Sequence, residues 1–234
     1  MTRFRILVAD DHEIVRQGIS SLLSNRSGWE VCAEAENGRE AVEKAKRLRP
    51  DLVILDLHMP SLNGMEAARQ ILRDNPQQRI LVLTITDSEQ MVQELFRVGA
   101  KGYVLKSDAA TDLVKAVEAL QLNRTFFNSG IKQMVVEGCL NRGGTSLTRT
   151  LGVSKLTSRE REVVQLLAEG KTTKEVAVAL DLSVKTAGTH RSNLMRKLGL
   201  HSVSELVLYA VRNDIIHIPT LYATAEMPLA LAGD

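Results

Sequence analysis

Asp56 closes the short apolar run Leu52-Val53-Ile54-Leu55 and is followed by Leu57-His58-Met59-Pro60. A continuous aliphatic run of this length reads as a strand buried on both faces of a parallel sheet. Its last residue is delivered to the carboxyl edge, where open α/β folds place their chemistry. Other reactive side chains end other apolar runs: Asp10 and Asp11 follow Phe4–Ala9, Thr84 closes Ile80–Thr84, and Lys106 follows Gly102–Leu105. Three carboxylates brought together repel one another and require a cation, and an all-oxygen set suits Mg²⁺. The metal would neutralise a phosphate in line with Asp56, Lys106 would pair with one phosphoryl oxygen, and the Thr84 hydroxyl would bond another. Singly, each residue has an ordinary reading as an N-cap, a turn, a β-former or a solvated lysine. Five such types at the right ends of the right runs point to a phosphoryl acceptor.

That convergence requires the runs to be neighbours in one sheet. Five of them, at Phe4–Ala9, Trp29–Ala35, Leu52–Leu55, Ile80–Thr84 and Gly102–Leu105, alternate with segments of helical spacing such as Ile14, Ile19, Leu22, Leu23 and Ala41, Val42, Ala45, Leu48. Five strands alternating with five helices predict a flavodoxin-like parallel (βα)5 sheet of order 2-1-3-4-5 with helices on both faces. In that order the first strand lies beside the third, and the fourth and fifth follow.

The chain has 234 residues, 44% hydrophobic and 25% charged, which fits two globular domains. Its net charge of +2 points to no partner, but the distribution does. Residues 1–123 hold 16 Lys+Arg against 18 Asp+Glu, whereas residues 153–213 hold 10 against 6. Any nucleic acid is therefore expected at the second half. Cys32 and Cys139 are too few for a disulfide framework or a zinc site. No stretch reaches the ~20 apolar residues of a membrane span, and the N-terminus has no signal-peptide apolar region. A cytoplasmic protein without membrane contact is expected.

Beyond residue 123 the texture changes. Residues 124–153 read as a linker: Phe126-Phe127 and Ile131 to Leu140 suggest a short helix, and Asn141 to Gly152 is rich in Gly, Ser, Thr and Arg. Residues 154–213 read as four short helices. Thr157-Ser158-Arg159-Glu160 and Ser202-Val203-Ser204-Glu205 match the capping box, and Ser183 can cap a helix between them. Residues 214–234, apolar but without periodicity, read as a poorly ordered tail. Thr173 to Leu180, a turn at Asp181-Leu182, and Ser183 to Leu198 form a helix-turn-helix pattern. Val176, Ala177 and Leu180 would face the core, packed by Val184, Ala187, Leu194, Met195 and Leu198. The opposite face of the second helix carries Lys185, Gly188, Thr189, Ser192 and Arg196, small and polar enough to enter a major groove.

Three segments resemble the signatures of the bacterial response-regulator receiver domain: Ile6 to His12, Asp51 to Gly64 and Gly99 to Lys106. The resemblance covers residues 4–122. It implies that a sensor histidine kinase phosphorylates Asp56. It also implies Mg²⁺ held by Asp11, Asp56 and the backbone carbonyl of His58, with Asp10 acting through water, and a switch in which Thr84 moves and Tyr103 turns inward. Ser107 stands where many receivers have proline, which leaves the isomer of the 106–107 bond open. Leu156 to Val163, Ala168 to Ala177 and Leu182 to Thr186 resemble the LuxR-type helix-turn-helix, over residues 154–213. Together they place the chain with the NarL/FixJ response regulators.

That likeness implies base-reading positions at Gly188, Thr189 and Ser192, and phosphate contacts at Thr172, Thr173, Lys174, Lys185, Thr186, His190 and Lys197. Position 188 usually bears a charged or polar side chain, and Ser192 is shorter than the lysine often found there, so few bases are expected to be read directly, with reliance on phosphates, Arg191 and DNA shape. The last helix, with Val203, Leu206, Val207 and Ala210, implies a homodimer on activation and a twofold double-stranded DNA target. The resulting expectation is a transcription factor, not an enzyme. The unphosphorylated receiver would mask the recognition helix or hold the dimer surfaces apart, and the acidic and basic halves would dock. The alternatives are a phosphorylation-independent DNA binder and a phosphatase using Asp56 as nucleophile. The latter needs a second acid where His58 stands.

Overall fold

The computed structural model describes residues 3–85, 89–127 and 156–217. Strands β1 (Phe4–Ala9), β2 (Trp29–Ala35), β3 (Leu52–Asp56), β4 (Arg79–Thr84) and β5 (Gly102–Leu105) alternate with helices α1 (Glu13–Ser24), α2 (Gly38–Leu48), α3 (Gly64–Asp74), α4 (Glu89–Val98) and α5 (Ala109–Gln121). All pairings are parallel, in the order β2-β1-β3-β4-β5. The run lengths and the alternation predict this arrangement.

A sixth strand is added. Phe126–Phe127, expected as part of a helix, pairs parallel with β5 as β6. The free edge of β5 presents unpaired backbone groups, and Phe126 N donates to Lys101 O at 3.1 Å. Adjacent strand residues point to opposite faces, so Phe126 packs on one core of the sheet and Phe127 on the other. Residues 131–140 and 141–152 lie outside the described residues.

The two cores follow strand alternation. Val53, Leu55 and Val82 pack against α2, α3 and α4 on one face, whereas Leu52, Ile54 and Leu83 pack against α1 and α5 on the other. β3 is buried along its whole length, which carries Asp56 to the carboxyl edge at only 2% exposure.

The segment after β3 is held close. The Asn63 side chain caps α3 by accepting from Glu66 N at 2.9 Å, and Gly64 N donates to Leu57 O at 2.9 Å. A Cβ on Gly64 would lie 1.9 Å from the Asp56 carbonyl oxygen. The glycine therefore lets the start of α3 stack on the end of β3.

The C-terminal lobe contains α6 (Ser158–Ala168), α7 (Thr173–Ala179), α8 (Val184–Leu198) and α9 (Val203–Arg212). Thr157 and Glu160 form the expected capping box, and Ser183 caps α8. Thr172 and Glu175 form a further box at α7, a T-x-x-E pattern that the expectations passed over. At α9, Ser202 accepts from Glu205 N, but the Glu205 carboxylate accepts from His201 N instead of Ser202 N. Val176, Ala177, Leu180, Ala187 and Leu194 form the lobe's core with Val163, Val164, Leu166 and Leu206. Two expectations are corrected. Val184, in the first turn of α8, is 50% exposed instead of packed. The segment after α9 is ordered as far as His217, because Ile215 is buried in the lobe core at 3% exposure. Residues 218–234 lie outside the described residues.

Gly64→Ala forces a methyl into backbone with no room to move. It is expected to cost about 3 kcal/mol by overpacking, read as a lowered urea midpoint; an unchanged midpoint would contradict the close approach.

Candidate functional site

Asp10, Asp56, Thr84 and Lys106 come to the same edge from the ends of β1, β3, β4 and β5, as their places in the sequence predict. Asp10, Asp56 and Thr84 are buried at 1%, 2% and 0% exposure. Lys106 Nζ lies 2.8 Å from Asp10 Oδ2 and 2.9 Å from Asp56 Oδ2. Asp56 Oδ1 is buried and has no hydrogen-bond partner among the described residues. Asp11 is more open, and its Oδ1 lies 2.8 Å from His12 Nδ1.

The electrostatics follow from one ammonium serving several carboxylates. Burial raises the Asp56 carboxyl above its ordinary value, and Lys106 pulls the other way without cancelling it. Burial lowers Lys106, but Asp56 and Asp10 outweigh it, so the ammonium is held more firmly than usual. The edge is left with excess negative charge. Ligating atoms of Asp10, Asp11, His12 and Asp56 lie within 4.8 Å of one another. The carboxylate oxygens and the partnerless Asp56 Oδ1 fit a hard divalent cation such as Mg²⁺. His12 is a neighbour that the sequence reading did not include.

His58, expected to offer its backbone carbonyl, is half-buried and turns its ring toward the C-terminal segment, 4.8 Å from the ring of His217. Burial, with His217 and Lys106 nearby, pushes the His58 imidazole down to about 4. Tyr103 is turned inward at 1% exposure, in the core shared with Val82. The Lys106–Ser107 bond is trans, since the described residues contain no cis peptide.

The second cluster is the exposed face of α7 and α8. Lys174, Lys185, Thr186, Thr189 and Ser192 are exposed, and Thr173, Gly188, His190 and Arg191 are half-buried. Arg191 Nη1 donates to Thr173 Oγ1 at 3.2 Å and ties α8 to the start of α7. The Thr172 hydroxyl is engaged with Glu175 at 2.8 Å. Lys197 lies 2.7 Å from Glu160 Oε2 and clips α8 to α6. A Cβ on Gly188 would meet only Thr173 Cγ2 at 4.0 Å, so nothing in the chain itself demands glycine there.

The dimerisation set divides. Leu206 and Ala210 are buried in the lobe's own core at 1% and 0% exposure and form no outer surface. Val203 and Leu208 are exposed at 45% and 55%, with Val207 half-buried beside them. The apolar stripe of α9 is wide enough to serve both sides, and α6 covers the inner half.

The lobe also touches the sheet domain, through elements other than those expected. Among the described residues, nothing covers the face of α8 that carries Lys185, Thr186, Thr189 and Ser192. The contact is made by α6, whose polar stripe Glu162, Gln165, Glu169 would ordinarily be read as solvated. Gln165 Oε1 accepts from Asn63 N at 2.7 Å, and Arg39 pairs with Glu162 at 3.1 Å. The acidic partner here lies on the basic half of the chain, opposite to the net-charge asymmetry, although Arg161 and Glu94 pair in the expected sense at 3.6 Å.

Comparison with known proteins agrees with this geometry. Residues 6–118 match the response regulator receiver domain family, and residues 154–210 match the luxR family of bacterial regulatory proteins. The response regulator protein VraR of Staphylococcus aureus is 35% identical over 212 residues, covering 91% of this chain and 98% of that protein. A two-component response regulator of the LuxR family from Aurantimonas sp. SI85-9A1 is 36% identical over 59% of this chain and 99% of its own, with a TM-score of 0.56. The RcsB response regulator of Salmonella typhimurium is 28% identical over 93% of this chain and 100% of its own, with a TM-score of 0.58. No helix among the described residues is long and apolar enough to cross a membrane. With a buried acid–lysine edge on a parallel sheet, and a helix-turn-helix behind it, the chain belongs to the two-component response regulators that join a receiver domain to a LuxR-type DNA-binding domain.

Proposed function

We propose that this chain is cytoplasmic, that Asp56 is the phosphoacceptor, and that its modification by a sensor histidine kinase controls dimerisation and DNA binding by residues 154–213. The observation that carries this reading is the partnerless Asp56 Oδ1, buried beside a lysine that already bonds the other oxygen. Asp56 Oδ1 would form a new O–P bond as the donor's P–N bond breaks, the electron pair passing to the imidazole nitrogen, which takes a proton from solvent. Asp10, Asp11 and Asp56, with the His58 carbonyl, would hold Mg²⁺. When bound, the ion supplies positive charge against the carboxylates and the phosphoryl oxygens. Lys106 pairs with a phosphoryl oxygen, Thr84 donates its hydroxyl to another, and the inward Tyr103 fills the space beside the moving β4–β5 edge.

On the DNA side, α8 enters the major groove with Gly188, Thr189 and Ser192 forward on one face. Thr172, Thr173, Lys174, Lys185, Thr186, His190 and Lys197 lie toward phosphates, and Arg191 braces the two helices. RcsB forms complexes described as two dimers bound to two parallel DNAs. A twofold arrangement of this chain would use Val203 and Val207 with Leu208, the outer half of α9.

Acetyl phosphate with Mg²⁺ is expected to add one phosphoryl group, seen by intact mass. Asp56→Asn or removal of divalent metal should abolish it; labelling that survives Asp56→Asn would move the acceptor elsewhere. Lys106→Met leaves two buried carboxylates without their ammonium and is expected to lower stability in metal-free buffer by about 3 kcal/mol. An unshifted unfolding midpoint would show that the pair contributes nothing. Gly188→Ala has room for its methyl and is expected to stabilise the lobe by up to ~1 kcal/mol. Thr189→Ala, assayed over a panel of operator-like duplexes, should weaken all of them by less than about tenfold (about 1.4 kcal/mol), the low end of the roughly 1–3 kcal/mol that a good direct base contact is worth. Collapse of a sharp preference on that change alone would refute shape-led reading.

A further inference from the structure

The buried face of α1 is made by Arg16, Ile19 and Leu23. That spacing is the inward stripe of a helix, where an apolar side chain is ordinarily expected at each place. Arg16 nonetheless stands there at 6% exposure, and the phosphoacceptor reading gives it nothing to do. Its guanidinium is bonded through all three nitrogens. Nη1 donates to the backbone carbonyl of Asp10 at 2.8 Å, Nε to Glu34 Oε2 at 3.2 Å and Nη2 to Glu36 Oε1 at 3.3 Å. Glu34 is held in turn. Its Oε1 accepts from Ser20 Oγ at 2.7 Å, and its backbone carbonyl accepts from Lys44 Nζ at 2.7 Å. Side chains of α1 and α2 and the end of β2 thus converge on one arginine, placed directly behind the acidic edge.

Two glutamates meet the one guanidinium, so the unit brings no net positive charge to that edge. What it brings is position. A planar fork with two arms fixed by carboxylates aims the third. The atom it aims at belongs to the peptide that joins Asp10 to Asp11, and that peptide is a rigid plane. Asp10 is anchored by other groups as well: its N donates to Ala35 O at 3.1 Å, its Oδ1 accepts from His12 N at 2.9 Å, and its Oδ2 lies 2.8 Å from Lys106 Nζ. Asp11 has less to hold it. Its partly exposed carboxylate meets the ring of His12 at 2.8 Å, and that ring is itself 65% exposed. The direction of Asp11 is therefore set chiefly by the plane it hangs from.

We propose that Arg16 is a positioning residue for the divalent-cation site: it pins the Asp10–Asp11 peptide so that the Asp11 carboxylate stays with those of Asp10 and Asp56. The proposal rests on these carboxylates holding Mg²⁺. Without Arg16 the Asp10 carbonyl loses its charged donor, the peptide plane is free to turn, and Asp11 must be brought back each time an ion binds. The quantity affected is affinity for the ion, not the chemistry at Asp56 once the ion is in place.

Calorimetric titration of the metal-free full chain with Mg²⁺ reads this directly. Arg16→Met is expected to raise Kd about tenfold, the equivalent of one lost hydrogen bond to a charged donor. Arg16→Lys keeps a charged donor for Asp10 O and should return Kd to within about threefold of the wild type. Labelling by acetyl phosphate supplies a second readout. In Arg16→Met the half-saturating Mg²⁺ concentration should rise by the same factor, while the rate at saturating Mg²⁺ stays close to the wild type. An unchanged Kd in Arg16→Met, or a saturated rate that falls while half-saturation stands still, overturns the proposal. A lysine variant as weak as the methionine variant overturns the part played by the charged donor. Should Arg16→Met fail to fold, Glu34→Gln at a half-buried position decides: it removes a charge that aims the guanidinium, and an unchanged Kd there sinks the idea. If the wild type binds no Mg²⁺, or binds it equally well after Asp11→Ala, the metal reading fails and the affinity claim goes with it. Hydrogen exchange at the His12 amide, which bonds Asp10 Oδ1 across the pinned peptide, then still decides whether Arg16 holds that peptide: faster exchange in Arg16→Met supports the pin, and unchanged exchange overturns it.

Discussion

Asp10 and Asp56 reach the sheet edge almost without solvent, and Lys106 is the ammonium their carboxylates share. Each ion alone would be costly to bury, and together they still leave the edge short of positive charge. Much of the surrounding structure serves this arrangement. β3 must be buried along its length to deliver Asp56, Gly64 must lack a side chain so that α3 can start against the acceptor strand, and β5 must end beside β4 so that Lys106 reaches across. An edge held together by unequal charge is also one that a cation or a phosphoryl group can change at modest cost, and that suits a switch.

How much of this could be read from the residues depended on how local the cause was. Asp56, Thr84 and Lys106 were legible because each ends a short run whose burial both creates the strand and sets its end. The capping pairs at Thr157 and Ser183 were legible for the same reason. β6 was not, because two phenylalanines become a strand only when a free sheet edge lies beside them. The roles of Leu206 and Ala210 were misassigned because a wide apolar stripe shows that a helix is covered, not which half is covered first. Gln165 was invisible for the opposite reason. A polar stripe ordinarily faces water, and here the loop after Asp56 takes the place of water.

The contact between the two halves also shows how little net charge says about docking. The first half is acidic overall and the second basic, yet the shortest ion pair across the contact joins Arg39 of the first to Glu162 of the second. Steering acts over the whole molecule, whereas docking is settled by a few side chains at close range. Burial raises the carboxyls of Glu66 and Glu169 at this contact, a desolvation cost that the docked arrangement carries.

Asn63 shows what such economy entails. Its side chain starts α3 by accepting from Glu66 N and, through its amide nitrogen, holds the carbonyl of Ile215 at the other end of the described chain. A receiver and a DNA-binding lobe are often treated as interchangeable modules. In this chain the seam is written into both: residues 59–63 on one side, and Gln165, Glu169 and Ile215 on the other, form a matched key and lock. A chimera that exchanged the lobe alone would leave Asn63 and the Ser61 amide without the partners they have here, unless the new lobe carried equivalents of Gln165, Glu169 and Ile215.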